Sequence, residues 1–324
     1  MIVDLPNTTS AKISKALVRI REDGGAVALG RVLTLVIATE MGNEEEAIAA
    51  ANDASREHPM RVLVVSTNTS TTTRDDEPRV DAQIRVGGDA GASEVIVVTA
   101  HGDAALDQES LVTGLLLPDA PVVAWWPGEA PANASESPLG RIAQRRITDA
   151  AASANPLEAM HRMCRTYVPG DTDFAWTRLT LWRAQLAAVL DQPPYESITA
   201  VSVSGAADSP STLLLAAWLQ MQLEVAVSLH VTDGSPVPTG IHSVVLERKS
   251  GTIRLERNAA SIATLTQPDQ PVHDISMPRR SLRDCLAEEL RRLDPDSLFG
   301  DVVRRGVSEI TGAHDGASTK AKIK

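Results

Sequence analysis

Aromatic side chains are scarce in this chain: its 324 residues include five Trp, two Tyr and two Phe. Any core or binding face that needs large side chains has few to draw on, so their positions carry information. Cysteine is scarcer still. Cys164 and Cys285 are too few and too far apart for a disulfide framework or a paired-cysteine metal site, and both fall in helical contexts that suit small apolar residues. Positive charge is in deficit, with 31 Lys and Arg against 42 Asp and Glu, a formal net charge of -11. That balance argues against nucleic acid or an anionic membrane as the main partner, since both call for basic surfaces that release counterions. No apolar run approaches the ~20 residues needed to span a bilayer; the densest β-branched run near the start is Val32 to Ala38. The opening MIVDLPNTT has no basic segment followed by an apolar one, so no secretory signal is expected and the chain reads as cytoplasmic.

Catalytic signatures are missing as well. None of the seven histidines is paired at i, i+4 with another ligand type in the way a helix-borne metal site requires, and there is no GxSxG elbow and no GxxxxGK[ST] loop. Gly24-Gly25 and Gly30 come before and inside a strand-like run, whereas a phosphate-cradling loop must follow a strand and open a helix. Arg162 and Arg165 flank Cys164 and would lower its pKa, yet a lone helical cysteine is more often structural. No metal or cofactor is expected, and the balance tilts towards a binding or assembly role.

What is present is globular material, 43% hydrophobic and 23% charged, in a chain long enough for two domains. Thr8 to Arg21 and Glu44 to Glu57 carry helical periodicity; Ala26 to Ala38, Arg61 to Val65, Val80 to Val86, Glu94 to Thr99 and Val122 to Trp126 are strand-like. Leu106 to Leu117 suggests a further helix, and a polar Ser/Thr loop runs to Thr73. Pro127 to Pro138 reads as a long loop after a strand end, where open α/β sheets tend to place sites. Asn155 to Tyr167 is helical, with Pro156 suited to its first turn. Later, Ser197 to Ser204 and Glu224 to Val231 are strands around a helix, Ser211 to Leu223. Ile241 to Arg248 and Thr252 to Arg257 form a hairpin about Lys249-Ser250-Gly251, which Ile262 to Leu265 extends, and Ser281 caps a last helix. These alternations predict an α/β chain of two α/β domains with mixed, largely parallel sheets: residues 1–167, 168–311 and a disordered tail, 312–324.

Five of the aromatics (Tyr167, Phe174, Trp176, Trp182 and Tyr195) lie in or beside Tyr167 to Asp191, which reads as one helix capped near Asp171 to Asp173 and ended by Pro193-Pro194. Ala175, Leu179, Trp182, Leu186 and Val189 make its apolar stripe. Trp176, Arg178 and Arg183 flank that stripe, either as snorkelling scaffold or as a face for another surface, because Trp and Arg concentrate at binding hot spots. The doublets Arg145-Arg146, Arg279-Arg280, Arg291-Arg292 and Arg304-Arg305 fit solvated pairs or surface ion pairs. Gly205 to Ser209, between a strand and a helix with Pro210 at its start, is either a tight connection or an anion site built on Gly205, Asp208 and Ser209.

The motifs HPMRV (58–62), LLLPDAPVV (115–123) leading into WWPG (125–128), RRITD (145–149), DFAWTRLTLWR (173–183), LLAAWL (214–219) and AEELRRLDP (287–295) occur in this order. In that order the chain closely resembles the glucose-6-phosphate dehydrogenase assembly protein family (OpcA) in its actinobacterial form, over nearly its whole length. Leu181 and Phe299 stand where Pro and Tyr would be expected. The resemblance implies a non-catalytic partner that promotes the active oligomer of glucose-6-phosphate dehydrogenase, the NADPH-producing entry to the oxidative pentose phosphate pathway. Redox control through cysteines is not expected, since Cys164 and Cys285 form no close pair. The candidate partner contacts are Trp125, Trp126, Arg145, Arg146, Trp176, Arg178 and Arg183. The rival is a protein or enzyme acting on a phosphorylated small metabolite through the 205–209 loop, and a metabolite effector of an assembly factor stays open.

Overall fold

A computed structural model describes residues 1–23, 30–68, 77–87, 94–231 and 239–310. Gly24-Gly25, the start of the Ala26 strand, most of the Ser/Thr loop to Thr73 and the tail from Gly312 lie outside these residues. In chain order the elements begin with β1 (Ile2–Leu5), α1 (Ser10–Asp23), β2 (Leu33–Glu40), α2 (Glu44–Ala54), β3 (Met60–Thr67), β4 (Arg79–Arg85) and β5 (Glu94–His101). Next come α3 (Gln108–Thr113), β6 (Val122–Trp125), α4 (Pro138–Ile142), β7 (Arg145–Thr148), α5 (Pro156–Thr166), β8 (Asp171–Asp173), α6 (Phe174–Thr177) and α7 (Thr180–Leu190). The remainder is β9 (Ile198–Gly205), α8 (Pro210–Leu223), β10 (Val227–Val231), β11 (Ile241–Arg248), β12 (Gly251–Arg257), β13 (Ile262–Thr266), β14 (His273–Ser276), α9 (Leu282–Leu290) and α10 (Ser297–Asp301).

Contacts divide the chain into two compact units, one of Met1–Asp149, Gly170–Thr172 and Ser281–Pro295, the other of Ala150–Pro169, Asp173–Arg280 and Asp296–Lys324. The first is built on an eight-stranded sheet in the order β1-β4-β5-β3-β2-β6-β7-β8. β5, β3, β2, β6 and β7 are parallel, and β4 and β1 join antiparallel at one edge. Taken in chain order, the five parallel strands lie 3-2-1-4-5, the arrangement of doubly wound sheets that reverse direction beside their first strand. Their composition explains the placement. LVI (35–37), VLVV (62–65) and VIVV (95–98) are continuous apolar runs, and the central strands are buried on both faces, as a parallel sheet between helices requires. α2, with Ala47, Ile48, Ala50, Ala51 and Ala54 buried, packs on β2 and β3 and against α9, in which Cys285, Leu286 and Leu290 are buried. Ser281 caps α9 in a reciprocal box with Asp284.

The second unit holds a six-stranded sheet, β10-β9-β11-β12-β13-β14. The α/β class expected from the sequence holds, but here only β9 and β10 pair in parallel and the rest is an antiparallel meander. Period-2 alternation fits such strands, with Val201, Val203, Val244, Leu246, Ile253 and Leu255 inward. The cover is α8, apolar nearly all round (PSTLLLAAWLQMQL) because its flanks are also packed. Glu224, in the left-handed region with φ 55, ends α8, so β10 starts at Val227 and not at Glu224. Leu106 to Leu117 likewise shortens to α3, whose N-cap Asp107 accepts from the Ser110 N–H.

One expectation changes more. Tyr167 to Asp191 is not one helix: it runs through β8, then α6, then α7, with a tight turn at Arg178-Leu179. The Thr177 hydroxyl donates to the Asp173 carbonyl and the Thr180 hydroxyl to the Thr177 carbonyl. These local bonds take over backbone groups at the break, as Thr does where helices are interrupted. The stripe of Ala175, Leu179, Trp182, Leu186 and Val189 is nevertheless buried throughout, as predicted.

Candidate functional site

In the second unit the aromatics of the 167–191 segment gather round one side chain. Trp176, 2% exposed, donates from its indole N–H to Asp296 at 2.9 Å and leans on Phe299 with ring centroids 5.6 Å apart. The guanidinium of Arg183 lies over the Trp176 ring, 3.8 Å from the centroid. Tyr167 meets Phe299 edge-on at 5.8 Å and carries Arg304 above its ring at 4.9 Å. Asp296 also caps α10, accepting from the Phe299 N–H at 3.0 Å, so one carboxylate fixes both the helix and the indole. Arg178 sits 5.9 Å from the Phe174 ring. Trp176 is thus an interior residue, and Arg178 and Arg183 are half-buried at its margin.

The other predicted contacts lie in the first unit and inside it. Trp125 is fully buried in β6 and Trp126 is 5% exposed. Arg145 and Arg146, adjacent in β7, are both buried, unlike the exposed Arg291-Arg292 and Arg304-Arg305 doublets. Arg145 pairs with Glu289 and donates to the Asp294 carbonyl at 2.8 Å. Arg146 pairs with Asp171 and donates to the Ala143 carbonyl at 2.8 Å. A buried guanidinium survives only when its donors are matched in this way. A partner could reach these tryptophans and arginines only by opening the unit that holds them. Glu289, Asp171 and Asp296, the acids that hold the arginines and the indole, carry no signal of that role in sequence; their partners lie far along the chain.

The 205–209 connection is filled by its own groups. The Ser209 hydroxyl caps α8, accepting from the Thr212 N–H at 3.2 Å and from the Thr212 hydroxyl at 2.7 Å. The Ala206 N–H donates to the Gly240 carbonyl at 2.9 Å and the Ser209 N–H to the Ala206 carbonyl at 3.3 Å. Asp208 is exposed at the tip. Gly205 is required by space: a β-carbon would stand 2.3 Å from the Thr212 hydroxyl oxygen and 2.7 Å from the Gly240 carbonyl oxygen. The N–H groups of Ala206, Ser209 and Thr212 are thus already bonded within the protein. Cys164 fits the structural reading over the reactive one: burial pushes its thiol up to about 12, Asp173 adds to the rise and Arg165 only opposes it. Among the described residues no group of three or more His, Cys, Asp or Glu is placed to hold a metal ion, and no helix is long and apolar enough to cross a membrane.

Comparison with known proteins adds an independent line. Two family models described under "Glucose-6-phosphate dehydrogenase subunit" match the chain in order, the N-terminal domain over residues 51–165 and the C-terminal domain over residues 169–303. No curated protein matches the chain. Among solved structures, an oxidoreductase from Sinorhizobium meliloti is similar over 86% of this chain and 95% of its own, with 8% identity and a TM-score of 0.51. A myo-inositol dehydrogenase from Lactobacillus casei, in complex with NAD(H) and myo-inositol, is similar over 87% and 95%, with 10% identity and a TM-score of 0.41. The first likeness is one of fold alone, and the second is weaker.

Proposed function

We propose, for a chain that belongs to the glucose-6-phosphate dehydrogenase subunit family, a non-catalytic role as an assembly factor that binds glucose-6-phosphate dehydrogenase and favours its active oligomer. In this reading it acts in the cytoplasm, as a member of the actinobacterial type, and raises NADPH supply from the oxidative pentose phosphate pathway. The observation that carries the reading is the pair of domain matches, in order, over residues 51–165 and 169–303. The site geometry supports it. Trp125, Trp126, Trp176, Arg145 and Arg146 are buried within their units, and the N–H groups of Ala206 and Ser209 in the 205–209 loop already have acceptors.

An activator acts by binding the active state more tightly than the inactive one, and tenfold activation by population shift requires about 1.4 kcal/mol of such preference. Of the candidate contacts, Arg178 and Arg183 are the ones a partner can reach without opening a unit, so we assign them to the dehydrogenase contact. The test is a titration of this protein into purified dehydrogenase, following activity and mass together. The wild type raises both, and Arg178→Ala/Arg183→Ala raises the half-maximal concentration about tenfold or more, a loss of roughly 1.4 kcal/mol. No change in activity or mass with the wild type would end the reading. Full activation by a well-folded double variant would move the contact elsewhere.

A further inference from the structure

A doubly wound sheet in the order 3-2-1-4-5 places an anion at one point above all: the N-terminus of the helix after its first parallel strand, where the turn's N–H groups and the helix dipole converge. In this chain that strand is β2, the turn is Met41-Gly42-Asn43, and α2 begins at Glu44. Gly42 has φ +91, so the turn keeps the one glycine its backbone demands. Its N–H does not face an open cradle. It donates to both carboxylate oxygens of Glu44, at 3.1 and 3.0 Å. The hydroxyl of Ser66, fully buried near the end of neighbouring β3, donates to the same carboxylate. Glu45 and Glu46 complete an acidic first turn, and Glu45 is itself held by Arg85 at 2.6 and 3.0 Å.

We infer that the Glu44 carboxylate is an internal substitute for a phosphate, and that it closes the first unit's crevice to dinucleotides. Three features act together. The turn N–H that would meet a phosphate oxygen is occupied. A second donor, from the adjacent strand, is drawn to the same carboxylate. The first turn presents like charge to any incoming diphosphate, against a dipole worth only about half a charge. The sheet is thereby kept as scaffold while its ligand position is filled from within. This bears on the non-catalytic half of the proposed function, and its test needs no dehydrogenase.

The test uses the full chain as wild type, Glu44→Gln and Glu44→Ala/Glu46→Gln, with millimolar sodium pyrophosphate in thermal unfolding and NADPH in fluorescence titration. The wild type shows no Tm shift with pyrophosphate and no NADPH binding. Glu44→Gln keeps an acceptor for Gly42 and Ser66 and stays closed. The double variant has a lower Tm than wild type; pyrophosphate restores part of the loss, and NADPH titrates it to a saturable fluorescence change that the wild type lacks. Three results would each overturn the inference: dinucleotide binding by the wild type, a folded double variant blind to both probes, or a Gln variant that binds as well as the double one.

Discussion

Arg145 and Arg146 behave differently from the other arginine doublets because of where β7 runs. A strand inside the sheet turns successive side chains to opposite faces, and here both faces are covered, so each guanidinium must find its own acid, Glu289 for one and Asp171 for the other. Exposed doublets such as Arg304-Arg305 face no such demand. Cys164 follows the same logic of burial. A thiol whose ordinary value is near 9 and which is pushed up to about 12 is almost wholly protonated at pH 8, with roughly a thousandfold less thiolate than an ordinary cysteine. Iodoacetamide should therefore label native Cys164 very slowly, with a rate that keeps rising about tenfold per pH unit beyond pH 9, and quickly once urea unfolds the chain. The linkage sign follows: the folded pKa is the higher one, so this group's contribution to stability is complete below pH 9 and declines as pH rises towards 12. A native rate that levels off near pH 9 would show an ordinary, reactive thiol. In sequence the neighbouring arginines pointed the other way, because proximity along a helix says nothing about the solvent that the fold removes.

At the scale of elements, local signals were the readable ones. Ser209-Pro210 marked the start of α8, Ser281 that of α9, and Lys249-Ser250-Gly251 the hairpin, because each depends on residues a few positions apart. The apolar stripe from Ala175 to Val189 was also readable, but the break between α6 and α7 was not, since the hydroxyls of Thr177 and Thr180 interrupt the ladder without disturbing the stripe. Short edge strands such as β1 and β14 were missed for want of length. The β9–α8 connection shows how demanding a readable turn can be. Removing the cap with Ser209→Ala costs about 1 kcal/mol. Gly205→Ala is worse, because its methyl meets the Thr212 hydroxyl and, less yieldingly, the Gly240 backbone carbonyl. We expect about 1–3 kcal/mol of lost stability in urea unfolding at an unchanged m-value. If Gly205→Ala unfolds with wild-type stability, β9 and α8 are less tightly joined than these distances state.

Over the whole molecule, alternating helices and apolar runs announced the α/β class, but not which strands would be neighbours. Strand order and the antiparallel meander of the second sheet depend on contacts between distant segments, and no window of sequence reports them. The 3-2-1-4-5 order matters most, because it turns Glu44 from an ordinary acidic helix start into the occupant of a ligand position. On the assembly reading, a chain whose own crevice is filled acts through what it binds as a protein, and such coupling is reciprocal. If this chain shifts glucose-6-phosphate dehydrogenase towards its active state, then whatever favours that state must tighten the grip of the dehydrogenase on this chain by the same factor. Binding of this chain to the dehydrogenase should thus be measured twice by calorimetry, without and with saturating glucose 6-phosphate. On the activator reading, the ratio of the two Kd values equals the factor by which this chain tightens glucose 6-phosphate binding to the enzyme. A tenfold ratio corresponds to about 1.4 kcal/mol of coupling. Equal Kd values would mean that this chain leaves the enzyme's affinity for glucose 6-phosphate unchanged, and any activation would then act on turnover and not through a shared binding equilibrium.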